Sequence, residues 1–153
     1  QGNSNGNLRV ERSSALAGAT SRIRAGDVNG DGSTEIVALV GTQVETLGIS
    51  SAGQASRIGL INLGGSFNDI AVGDFNRDGY LDFEGVDTNG SSIFLGNGNG
   101  TFASRGPFSD GAFGGASNTP VFDFNSDGNL DIISGGVFVD GTTFYSLLIG
   151  NGD

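Results

Sequence analysis

Three short segments carry oxygen-bearing side chains at one fixed spacing: Asp27-Val-Asn-Gly-Asp-Gly-Ser-Thr-Glu35, Asp74-Phe-Asn-Arg-Asp-Gly-Tyr-Leu-Asp82 and Asp123-Phe-Asn-Ser-Asp-Gly-Asn-Leu-Asp131. Counting from the first Asp, oxygens fall at positions 1, 3, 5 and 9, and Gly stands at position 6. A hard cation such as calcium takes six to eight oxygens at short range, and a loop that turns sharply can aim them inward. Gly32, Gly79 and Gly128 supply the turn, because Gly reaches positive φ without a steric penalty. The expected ligands are therefore Asp27, Asn29, Asp31 and Glu35, then Asp74, Asn76, Asp78 and Asp82, then Asp123, Asn125, Asp127 and Asp131. The backbone carbonyls of Ser33, Tyr80 and Asn129 at position 7 complete the sets. About three Ca2+ per chain are expected. One such segment in a Gly-rich chain reads as an ordinary turn; three in register do not. An EF-hand would need Glu at position 12 and helical flanks, and these segments have neither.

Something must hold these loops at equal spacing. From Asp27 to Asp74 is 47 residues and from Asp74 to Asp123 is 49. Such periods in a chain of short apolar runs indicate blades of a β-propeller, each a four-stranded antiparallel sheet. The first repeat predicts strands at 21–28, 35–40, 43–47 and 55–63. The second predicts 67–75, 81–86, 91–95 and 101–108, with a tight Asn-Gly turn at 96–100. The third predicts 117–124, 130–135 and 143–149, with Pro120 in its first strand. The fold class is all-β. Blade 1 is expected over 17–63, blade 2 over 64–110 and blade 3 over 111–153.

The third repeat lacks a fourth strand, and residues 1–16 read as one without a blade: Gly2-Asn-Ser-Asn-Gly6-Asn-Leu8 aligns with Gly96-Asn-Gly-Asn-Gly100-Thr-Phe102. Three blades are too few for a ring, since propellers have four to eight. Two partners therefore stay open. One is a second copy, each N-terminal strand completing the other's third blade in a six-bladed homodimer. The other is the remainder of a longer propeller. The sequence opens on Gln rather than Met, so a processed or trimmed chain is expected.

Composition bounds the chemistry. The 153 residues include 29 Gly, 11 Phe, 13 Asp, 4 Glu and 7 Arg, with no Lys, His, Cys, Met or Trp. Without His, Cys or Lys there is no Ser-His or Cys-His nucleophile and no Schiff base. Zinc lacks its usual ligands. No enzyme activity is expected. The net charge is −10, and nine of the 17 carboxylates lie in the three loops, so the acidity is mostly ligand supply. It argues against nucleic acid and anionic membranes. No apolar run approaches the eighteen residues of a membrane span, so no membrane insertion is expected. Weak calcium sites fill only near millimolar calcium, which places the chain outside the cell or on its surface.

Other side chains stand out. Glu84 falls where Val37 and Ile133 sit in the second strand of their blades, and it is expected to pair with an Arg such as Arg77 or Arg105 or to line a polar pocket between blades. Arg22 and Asp69 are expected as solvated walls near a central channel. The Phe residues alternate within strands and are expected in the core.

The repeats resemble the FG-GAP repeats of the integrin α-subunit propeller and the related VCBS-type repeats of bacterial and fungal surface proteins and lectins. The resemblance rests on Gly26-Asp-Val-Asn-Gly-Asp-Gly32, Gly73-Asp-Phe-Asn-Arg-Asp-Gly79, Asp123-Phe-Asn-Ser-Asp-Gly128 and Leu95-Gly-Asn-Gly-Asn-Gly-Thr-Phe102. Three departures are visible: Glu35 replaces the usual Asp at position 9, Phe122 replaces the Gly before the first ligand, and the first repeat lacks the Gly-Asn-Gly turn. The resemblance implies calcium between the first two strands of each blade. It also implies adhesion or lectin-like binding of a protein or glycan, with some members attached to enzymes. Two function classes follow: a calcium-binding module with such a ligand, and an architectural segment of a larger surface protein or assembly with no small ligand. A non-catalytic domain of a polysaccharide-active enzyme is a third reading.

Overall fold

The computed structural model describes residues 16, 18–88, 90–108, 119–137 and 140–153. Its eleven elements are all strands, arranged as three antiparallel sheets. Blade 1 is β1 (Thr20–Gly26), β2 (Glu35–Val40), β3 (Gln43–Ile49) and β4 (Ala55–Asn62), paired in chain order. Blade 2 repeats the meander with β5 (Asp69–Gly73), β6 (Asp82–Asp87), β7 (Gly90–Gly96) and β8 (Phe102–Phe108). Blade 3 has β9 (Val121–Phe122), β10 (Asp131–Val137) and β11 (Thr143–Leu148). The first strands stand side by side, β1 against β5 and β5 against β9. This is the arrangement of propeller-like blades. The expected closing strand within residues 1–16 lies outside the described residues, Leu16 apart.

The first strand of each blade ends earlier than the apolar pattern suggests. β5 was expected to reach Phe75 but stops at Gly73, because the N–H of Phe75 donates to Asp82 Oδ2 at 2.8 Å instead of to a neighbouring strand. Phe124 N–H likewise donates to Asp131 Oδ2 at 2.9 Å, so β9 ends at Phe122. At its other end Pro120 has no N–H for the ladder, though its carbonyl still accepts from Ile133 N at 3.0 Å.

The core lies between blades 1 and 2. Val37 and Leu39 of β2 and Val44 of β3 meet Ile70, Phe83 and Phe94 of β5, β6 and β7. Apolar residues on both faces of β2 follow from a sheet buried between layers. Phe83 is fully buried, stacks on Phe94 with centroids 4.4 Å apart and meets Phe102 edge-on at 4.8 Å. Phe83→Ala is expected to destabilise the chain by about 3–5 kcal/mol, since these neighbours cannot collapse into the space. Urea unfolding checks this; a change under about 1 kcal/mol would place the core elsewhere.

Two expectations about packing are corrected. Phe122 and Phe124 are not core: they are 64% and 40% exposed and meet each other at 5.7 Å. No fourth sheet follows blade 3 among the described residues, so nothing there covers them. Asp69 is not a solvated wall either. It is 1% exposed, and its Oδ1 meets Arg22 Nε at 3.1 Å and Arg24 Nη2 at 2.8 Å, an ion pair from blade 1 to blade 2. Burying a carboxylate is costly unless such partners replace the water it loses. Glu84 is fully buried in β6, across from Ala71 and Ile93. Neither expected arginine is placed for it: Arg77 donates to Asn129 and Arg105 is exposed on β8.

Candidate metal centres

Each segment forms the same loop between the first and second strands of its blade, held by hydrogen bonds from its own backbone. In the first, Asp27 Oδ1 accepts from Gly30 N at 2.8 Å and Asp31 N at 3.2 Å, and Oδ2 accepts from Gly32 N at 2.8 Å. Asn29 Oδ1 accepts from Asp31 N at 3.0 Å, and Asp31 Oδ1 from Ser33 N at 2.7 Å. The second loop repeats this with Asp74, Asn76 and Asp78. The third does so with Asp123, Asn125 and Asp127. Backbone N–H groups converge on these oxygens because the loop bends sharply. Its Gly residues at position 6 have φ of 84° to 90°, and Arg77 and Ser126 at position 4 also lie at positive φ.

Position 9 behaves differently. Glu35, Asp82 and Asp131 are 0–2% exposed and sit behind the loop at the start of the second strand. Asp82 Oδ2 accepts from Phe75 N, and Oδ1 from Gly96 N at 2.8 Å, at the end of β7. Asp131 does the same with Phe124 N and Gly150 N. Glu35 accepts from Val28 N at 3.1 Å. In blades 2 and 3 this carboxylate therefore clamps the loop base to the third strand. Burial raises the Glu35 carboxyl above the ordinary range, and the charges of Asp31 and Asp27 add to the rise. Burial, with Asp78 adding, raises Asp82 likewise. The exposed Asp31 and Asp127 are shifted down, first by the N–H of Ser33 and of Asn129 respectively.

Among the described residues, no three acidic side chains group tightly enough to hold an ion by themselves. The loop's donor set is mixed. A half-buried carboxylate, an exposed one and an amide oxygen stand at the turn, with a third carboxylate buried behind them that in the first two loops feels their charge. In all three loops the position 3 amide nitrogen donates to the position 5 carboxylate, at 2.8–3.1 Å, so these side chains are already adjacent. Oxygen-only donors carrying mutual repulsion fit a hard divalent cation.

The loops also touch one another, which the linear spacing did not reveal. Arg77 at position 4 of the second loop donates from Nη1 to Asn129 Oδ1 at position 7 of the third, at 3.2 Å. Tyr80 at position 7 of the second loop packs on Gly30 at position 4 of the first. The absence of a side chain at Gly30, where the second loop has Arg77, was the only sequence signal for this contact.

Two inter-blade hollows are open. One of about 390 Å³ lies between blades 1 and 2, with Asn62, Asp87, Ser92 and Ser104 beside Phe67 and Pro107. Another of about 210 Å³, lined by Phe75, Leu130, Ile132 and Leu148, lies between blades 2 and 3.

Comparison with known proteins agrees with this geometry. No curated protein matches the sequence. Among solved structures, a chain of the Tc holotoxin pore of Photorhabdus luminescens matches with a TM-score of 0.55 at 19% identity. The match covers 82% of this chain and 6% of that one. At that identity the likeness bears on the fold alone. Residues 74–134, from the second loop through most of β10, match the model of the FG-GAP-like repeat. The matched stretch runs from one acidic loop through the next.

Proposed function

We propose that this chain is a calcium-binding β-propeller-type module that works outside the cell and binds rather than catalyses. The observation that carries the reading is the threefold loop: the same oxygen-bearing positions, with the same bonds from the N–H groups of positions 5, 6 and 7, at the same place in each of three sheets. Asp27, Asn29, Asp31, the Ser33 carbonyl and Glu35 would hold one ion, and the corresponding residues of the second and third loops the others. A bound cation would supply the positive charge that these clustered carboxylates lack. The FG-GAP-like match supports a secreted or surface setting.

The test is calorimetric titration of chelator-stripped protein with calcium. We expect three ions per chain, falling to two when Asp74 and Asp78 are both changed to Ala. No heat of binding at millimolar calcium would sink the metal reading.

The hollow between blades 1 and 2 favours a ligand over a purely architectural role. It sets carboxylate, amide and hydroxyl groups beside an aromatic ring, the mixture that polar, ring-shaped molecules such as sugars need. A glycan screen on calcium-loaded protein separates the two: binding lost on Asp87→Ala supports a lectin-like site, and no binder supports the architectural reading.

A further inference from the structure

The two junctions inside the chain are built on one plan. The earlier blade has Gly just before its loop's first Asp, and the later blade has Leu at position 8 of its loop. A Cβ added at Gly26 would collide with Leu81 Cδ1, and one at Gly73 would stand 2.8 Å from Leu130 Cδ1. On the same edge, position 4 of the earlier loop meets position 7 of the later: Gly30 with Tyr80, and Arg77 with Asn129.

At the two ends of the series the sizes are reversed. Blade 3 has Phe122 where blades 1 and 2 have Gly, and it is 64% exposed. Blade 1 has Thr34 where the others have Leu, and it too is exposed. Position 4 of the third loop is Ser126 and position 7 of the first is Ser33, both exposed. Leu opposite Phe122 would overfill the junction, whereas Thr leaves room for the ring. Exposed apolar side chains line each open face: Phe124, Tyr145 and Leu147 on blade 3, and Ile23 and Leu60 on blade 1, where the Glu45–Arg57 ion pair lies among them.

We propose that blade 3 packs against blade 1 of a second copy of this chain, with Phe122 over Thr34 and Ser126 facing Ser33. The contact is head to tail, and two copies close it into a six-bladed ring. The inference rests on the propeller-type reading above but not on the metal. A second copy is the occupant because each open face is the continuation of the other in one repeating packing scheme.

Light scattering should give twice the 15.4 kDa of one chain. Thr34→Leu should raise the dimer dissociation constant at least ten-fold, and adding Phe122→Gly, which recreates the internal plan, should restore it. The chain has no Cys, so a mixture of T34C and F122C chains should give one interchain disulfide on oxidation. A folded protein with the mass of one chain would overturn the proposal, as would a mass above two chains or a dimer indifferent to Thr34→Leu. A dimer that survives in chelator supports it even where calcium titration fails.

Discussion

Removing calcium with a chelator is expected to lower the melting temperature by roughly 10 °C without unfolding the chain at room temperature. A site filled to ten times its dissociation constant adds about 1.4 kcal/mol, so three add about 4 kcal/mol. For a chain of this size each kcal/mol is worth about 2–4 °C. The fold should outlast the ions because the loops hold themselves: every Asp at position 1 accepts from backbone N–H groups at positions 5 and 6. What the ions would relieve is repulsion, felt by Glu35 from Asp31 and Asp27 and by Asp82 from Asp78. Differential scanning calorimetry in calcium and in chelator checks the shift. Coincident transitions would remove the stabilising role from the loops.

Asp82→Ala is expected to destabilise the chain by about 2–4 kcal/mol, and to do so in chelator as well as in calcium. Its carboxylate is fully buried and accepts two backbone N–H groups, from Phe75 and Gly96. Leaving buried donors unsatisfied costs about 1–3 kcal/mol each. Relief of the repulsion from Asp78 offsets a part. Asp78→Ala is the contrast. Asp78 is exposed and accepts from Tyr80 and Asn76, groups that water can reach. Its effect should be evident in calcium and nearly vanish in chelator. Urea unfolding of both variants, with and without calcium, separates the roles. If Asp82→Ala became harmless in chelator, position 9 would be a ligand and nothing more.

These two variants show where the sequence was legible. Positions 1, 3 and 5 of each loop bond to backbone two to five residues away. Such contacts are fixed by local spacing, so the pattern alone located all three loops and the strands that flank them. β2 follows the predicted bounds, and most other strands agree to within two residues. The ends of β5 and β9 were misjudged because their last N–H groups go to a buried carboxylate seven residues on. An apolar pattern records burial and is silent on which acceptor a backbone N–H finds.

The sequence by itself determined the repeat, the sharply turned acidic loops and the all-β class, since each depends on neighbours a few residues apart. Tertiary structure alone decided the pairing of Asp69 with Arg22 and Arg24, of Arg77 with Asn129, and the exposure of Phe122. Those depend on which blade lies beside which, across 45 to 52 residues of chain for the Arg24 and Arg77 contacts. Side-chain chemistry names a group's needs, and only the packing of one sheet on the next supplies the partner.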